Sequence, residues 1–426
     1  MRRSATHFLA LACALSRPAL AQETPLAFTG ARILTVSHGE IARGTLVVQH
    51  GKILAVGAGV AVPEAATVRD VSGRVLMPGL VDTHSHVGQV AGADSSAPIQ
   101  PDVRALDGVN VRHSGIQKAQ AGGITTVNVM PGSGHLLSGQ TVYLKLRDGS
   151  TLDDLAIRWA DGTIAGGMKM ANGTNSRRDP PFPGTRAKSA ALVREQYVKA
   201  AEYCRKREDP ELAADQRPPR ELALEGLCEV LSGRRVVHHH THRHDDIVTV
   251  LRLAEEFGFR VVLHHVSEGW KVADEIARAK VPASIIQIDS PGGKLEAMDL
   301  VFETGAALER AGVLLAYHTD DPITDSRLFL RSAAMGVRAG LSRDTALATL
   351  TLNGARMLDL DERIGSLEPG KDASLAVWTG DPLQTTSTVT ALYDKGVALD
   401  LSDRHKRLWE RYRSRPKPAA PAAGGR

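Results

Sequence analysis

The hydrophobic pattern divides the chain into two kinds of territory. Near the N-terminus, residues 31–36 alternate apolar and polar positions, 45–49 follow, His50-Gly51 marks a turn, and 52–57 continue. This predicts short strands. A further strand is predicted at 374–378, after the Gly- and Pro-bearing segment 365–373, so both ends of the chain are β-rich. Between them the rhythm changes. Largely apolar runs at 125–130, 236–240, 261–265, 283–288 and 313–317 are separated by segments of helical spacing, clearest at 247–257, 270–279, 297–311 and 344–358. Apolar strands interleaved with helices predict a parallel sheet, and so many repeats favour a closed (β/α)8 barrel over an open sheet. Charged, proline-bearing residues 203–222 interrupt this pattern and predict an exposed connection between two barrel units.

Composition narrows the class. The 426 residues are 42% apolar and 23% charged, which suits one large and one small globular domain. Three cysteines exclude a disulfide scaffold, and no apolar run approaches the ~18–20 residues of a membrane-spanning helix. No Gly-x-Gly-x-x-Gly fingerprint stands between a strand and a helix, so a dinucleotide site has no support.

Residues 1–21 stand apart. Arg2 and Arg3, an apolar stretch at 8–15 and Ala19-Leu20-Ala21 predict a secretory signal cleaved after Ala21, and a periplasmic or secreted protein. Its removal leaves 49 basic against 48 acidic residues. Residues 404–426 hold eight basic residues and one acidic, which makes a basic, flexible tail, while 22–403 carry a net −6. The basic pI therefore gives no evidence for nucleic-acid binding. Cys204 and Cys228 remain in the mature chain as non-catalytic thiols, and the sequence does not settle whether they pair.

The chemistry concentrates in histidines. In residues 81–86 (VDTHSH), His84 and His86 lie two apart on a strand and can meet one ion from one face. Residues 77–88 (MPGLVDTHSHVG) resemble the first-strand signature of the amidohydrolase superfamily. Residues 236–243 (VVHHHTHR) resemble its fifth-strand histidine segment, 261–268 (VVLHHVSE) its sixth-strand histidine, and 317–322 (YHTDDP) its eighth-strand aspartate. Residues 363–378 resemble the segment that re-enters a small β-domain, and the chain is most similar to the imidazolonepropionase-related branch.

That resemblance implies a TIM-like barrel over 76–361, with a composite β-sandwich domain built from 26–75 and 362–400. It implies His84, His86, His240 and Asp320 as metal ligands, with His242 as the alternative register for the fifth strand. His265 either binds a second ion or polarises the substrate carbonyl, while His264 is expected to point to the opposite face. Asp320 shuttles a proton, and Asp321 is structural. Lys169 is the candidate bridging carbamate of a two-ion site, or a strand-end lysine facing substrate. The cofactor is a divalent ion, zinc foremost, in one or two copies. Such an ion lowers the pKa of bound water towards ~7. Arg177 and Arg178, in a loop at the catalytic mouth, and His135 in a Gly-rich loop with Gln140 following it are candidate substrate-binding residues, with a structural role as the alternative for the last two.

The function implied is an exported, metal-dependent hydrolase of a C–N bond in a cyclic-amide or peptide-like small molecule, with homo-oligomerisation left open. A metal-dependent deaminase and a non-catalytic periplasmic metal-binding protein are the alternatives.

Overall fold

The computed structural model describes residues 24–90, 92–287 and 294–414. The predicted signal segment and the last twelve residues of the tail lie outside them. Strands β1 (Leu26–Leu34), β2 (Glu40–Gln49), β3 (Lys52–Gly57), β4 (Thr67–Asp70) and β5 (Val75–Pro78) form the N-terminal part of one sheet. Its buried face carries Phe28, Ile33, Leu46 and Leu76.

The chain then enters the helix-rich region through β6 (Leu80–Ser85), followed by β7 (Ile124–Val129), β8 (Leu137–Gln140), β9 (Val142–Lys145), β10 (Met168–Ala171), β11 (Val237–Thr241), β12 (Val261–His265), β13 (Ala283–Ile285) and β14 (Leu315–Tyr317). β6 and β7 pair in parallel, and β10 to β14 form a parallel succession. Every residue of β10 to β14 is buried, as helices on one side and packed side chains on the other require.

One strand departs from the expected parallel order. Residues 137–145 run antiparallel to both neighbours, with β9 paired to β7 and β8 to β10. The run kinks at Gly139, whose φ of +120° and approach to Val103 leave no room for a Cβ, which would lie 2.4 Å from a carbonyl oxygen. At the other edge, Asp320 N–H donates to His84 O at 2.9 Å, and Ser85 bridges Asp321 in parallel. These bonds tie the end of β14 to β6. Finally β15 (Leu375–Trp378) pairs with β5, and β16 (Val389–Asp394) and β17 (Val397–Ala398) complete the first sheet, so both chain ends build it. Phe28 meets Tyr393 edge-on at 4.9 Å across it.

Most predicted helices are present, with shifted bounds. The segment 297–311 is helical only over Thr304–Arg310, because Lys271 pairs with Asp299 at 2.5 Å and Trp270 donates to Asp299 O, which hold the preceding residues in turns. Residues 344–358 split into Arg343–Thr349 and Leu352–Met357. The expected exposed connection at 203–222 is shorter than predicted. Residues 203–208 end the helix Arg186–Glu208, and a disulfide from Cys204 to Cys228 pins it to Leu222–Leu231. The expected flexible tail begins as a helix, Arg404–Arg413, because Asp403 accepts from Lys406 N–H and caps it.

Candidate metal centre

Eight histidines converge where β6, β11, β12 and β14 end. His84, His86 and Asp320 offer ligand atoms within 4.8 Å of one another, as do His240, His242 and His265, and as do His84, His265 and His318. The strands dictate the first group. His84 is the fifth residue of β6 and His86 follows the strand end. Asp320 reaches both, with Oδ1 at 3.3 Å from His84 Nε2 and 2.9 Å from His86 Nε2. His86 Nδ1–H donates to Met130 O at 2.8 Å, which turns its Nε2 towards Asp320 and the site.

The second group is held differently. The His240 ring centroid lies 4.2 Å from that of His265 and 4.7 Å from that of His242. Both nitrogens of His240, with Nε2 of His242 and of His265, are buried without a hydrogen-bond partner among the described residues. Three imidazoles that each carry an orphaned nitrogen, with ligand atoms within 4.8 Å of one another, fit a cation. His265 Nδ1 lies 4.0 Å from Asp320 Oδ2, which joins the two groups.

Register explains both histidines of β12. His240 pairs with His264 and Thr241 with His265, so His264 shares the inward face of His240. The expectation that His264 points away is therefore corrected. Its ring lies 4.9 Å from that of His84. His265 enters the cluster because its backbone turns into the left-handed region, with φ +72°. Asp320 adopts the same region, at φ +49°.

Lys169 lies fully buried on β10, its Nζ 3.2 Å from His84 Nε2. That contact fixes a chain of tautomers. With His84 Nε2 as acceptor, His84 Nδ1–H points at His264 Nδ1 (3.3 Å), His264 Nε2–H at His238 Nδ1 (2.9 Å), and His238 Nε2–H at the Tyr143 hydroxyl (2.9 Å). A cation on His84 Nε2 imposes the same direction. His318 Nδ1 bonds Ser284 Oγ at 2.8 Å, and its Nε2 lies 3.3 Å from His265 Nδ1. Sequence reasoning missed His318, His264, His238 and Tyr143. His318 and Asp320 both lie just past the end of β14, and Asp320 is left-handed, so period-two alternation could not have placed His318.

Burial sets the protonation states. It pushes His238, His239, His242 and His318 down to about 3, and His84, His240, His264 and His265 well below the ordinary imidazole value, so all are neutral and ligand-ready near pH 7. Lys169 is lowered to about 7 by burial, so much of it is a neutral amine. Burial opposes ionisation of Asp320, but the hydrogen bond and charge from His86, then His318 and Lys169, hold its carboxyl below the ordinary range. Asp82, raised to about 7 by burial, accepts from Thr319 and from His84 N–H and clips β6 to the end of β14.

The remaining sequence candidates scatter. Asp321 pairs with Lys118 at 2.7 Å and takes bonds from Ser326, as a structural residue does. His135 is buried against Phe182, over which Arg178 stacks at 3.7 Å, and Arg178 also donates to Gly134 O. Arg177 donates to Gly173 O. Gln140 takes the structural alternative. It pairs with Met168 at the start of β10 and donates to Pro101 O, because its strand runs antiparallel and ends away from the histidines. A cavity of about 460 Å³ opens beside His86, with Lys118, Asp321, His113 and Arg404 in its wall.

The amidohydrolase family model covers residues 229–398. The crystal structure of an amidohydrolase from Thermotoga maritima superposes with a TM-score of 0.81 at 33% identity, covering 88% of this chain and 99% of that one. The chain belongs to the amidohydrolase superfamily, in its imidazolonepropionase-related branch. The imidazolonepropionase of Paracoccus denitrificans is 26% identical over 383 residues, 80% of this chain and 89% of that protein. Amidohydrolase tasK of Hapsidospora irregularis is 29% identical over 373 residues, and this chain spans 37% of its length. As an amidohydrolase the chain is a hydrolase of mixed α/β fold. No helix among the described residues is long and apolar enough to cross a membrane.

Proposed function

We propose that the chain is an exported, metal-dependent amidohydrolase that cleaves a C–N bond in a cyclic-amide or peptide-like small molecule. The observation that carries this reading is the pair of ligand groups, His84/His86/Asp320 and His240/His242/His265, the second with orphaned nitrogens. Two ions, zinc foremost, suit two such groups, and Lys169 is the residue for a bridging carbamate. Its amine contacts His84, and its depressed pKa supplies the neutral amine that attacks carbon dioxide, releasing a proton as the N–C bond forms.

A bound divalent cation supplies Lewis acidity, lowering the pKa of water and polarising a carbonyl. The chain's own residues do the rest. Asp320, held ionised by His86, takes the proton of the attacking water and returns it to the leaving nitrogen. His265 Nδ1 stands 4.0 Å from that carboxylate, and His318 and Ser284 hold its ring in place.

Further support for the reading is architectural. The sheet order from β6 to β14, with the bonds between Asp320 and His84, suits a closed barrel at 76–361, and the sheet shared by both chain ends suits a composite β-domain. The Cys204–Cys228 disulfide favours an oxidising compartment and hence export.

The test is elemental analysis of untagged protein purified without added metal, followed by an amide screen. One or two equivalents of metal and a new carboxylate in the screen support the proposal. Ammonia release from an amidine substrate would favour the deaminase instead. Absence of metal after reconstitution would overturn both.

A further inference from the structure

The C-terminal helix Arg404–Arg413 has a face that the hydrolytic reading leaves without a role. Asp403 caps it, and Arg407 donates to Gln117 at 2.7 Å and fastens it to the body of the protein. None of its ten residues is buried. Trp409 is 60% exposed and Tyr412 42% exposed, although both are large rings that water solvates poorly.

At 100° per residue, Leu408, Trp409 and Tyr412 form one stripe. Arg404 and Arg411 border it on one side, and Lys406 and Arg413 on the other. Arg413 lies 4.6 Å over the Trp409 ring, and Arg411 5.6 Å from that of Tyr412. The single acid, Glu410, pairs with Arg413. The sequence beyond adds Arg415, Lys417 and Arg426 and no acid, whereas residues 22–403 are net negative.

We propose that this helix docks the protein on an anionic phospholipid surface. An aromatic stripe flanked by cations suits the boundary between headgroups and acyl chains: the rings enter it while the guanidinium groups meet lipid phosphates. The charge is local and opposite in sign to the rest of the mature chain, so attraction acts on this helix and orients the protein. Neither a nucleic acid nor a second copy of the chain uses the stripe so fully. A nucleic acid needs the cations but not an apolar ridge, and a second copy would oppose like charges.

The purified chain is sedimented with vesicles of phosphatidylcholine alone and with vesicles containing phosphatidylglycerol. It should pellet with the second only, and 0.5 M salt should release it, as expected for a screened attraction. Arg411→Glu with Arg413→Glu should weaken binding at least tenfold, and Trp409→Ala should weaken it while leaving metal content and thermal unfolding unchanged. No pelleting, or equal pelleting with neutral vesicles, would overturn the proposal. So would concentration-dependent dimerisation that Trp409→Ala abolishes, or retention of duplex DNA as tight as that of vesicles.

Discussion

The two ligand groups of the candidate metal centre, two histidines with an aspartate and three histidines, differ in what holds them. His84, His86 and Asp320 are anchored by the protein: Met130 O fixes His86, the His264–His238–Tyr143 chain backs His84, and Asp320 Oδ1 lies within 3.3 Å of both imidazoles. In the second group Ser267 holds His242 Nδ1 at 2.7 Å and His318 meets His265 Nδ1 at 3.3 Å, whereas both nitrogens of His240 are orphaned among the described residues. One half is preorganised throughout, and in the other His240 is the ligand whose placement would depend on an ion. Preorganisation tightens binding because the ordering of the ligands is complete before the ion arrives.

Breaking the anchored half should have the largest effect. Asp320→Asn is expected to lower kcat about a hundredfold or more, the size of a lost general acid–base group, while metal content falls by less than one equivalent. The dependent half should respond to metal instead. Chelation of the whole protein should lower Tm, by an amount corresponding to ~4 kcal/mol if the ion is present at about a thousand times its Kd. His240→Ala should remove one equivalent of metal and most of that stabilisation, as calorimetry with and without chelator would reveal.

His264→Phe sharpens the contrast because it spares every ligand. Without its tautomer partner, His84 should bind metal ~10–100-fold more weakly, measured by competition with a chromophoric chelator. The same variant should leave the affinity of the His240 group unchanged.

The pH dependence of the metal-free protein follows from the buried imidazoles. Their native pKa values lie below the unfolded value near 6.5, with four of them at about 3. Between those limits the unfolded chain binds more protons, so stability falls as pH drops from 6.5 towards 3, with a slope of ~1.4 kcal/mol per pH unit for each such group. A Tm that stays level from pH 7 to 5 would contradict this. Gln140→Ala should change neither kcat nor metal content, since its strand carries it away from the mouth.

Much of the site was legible because period-two alternation is a property of local backbone. Once 81–86 forms a strand, His84 and His86 must share a face, and β12 lies at the predicted 261–265. The resemblance added the order of the blocks. Local rules failed where the backbone left the regular regions or where a partner came from far along the chain. His265 turns inward through a left-handed φ. The 137–145 run reverses direction against its neighbours, and Tyr143 meets His238 across 95 residues.

By itself the sequence determined the strand–helix alternation, the family and the residue types at the strand ends, because each is encoded within a few neighbouring positions. Only the tertiary structure decided which imidazoles became anchored and which were left facing one another. Those distinctions depend on strand register and direction, which arise when distant segments pack and compete for the same buried hydrogen bonds.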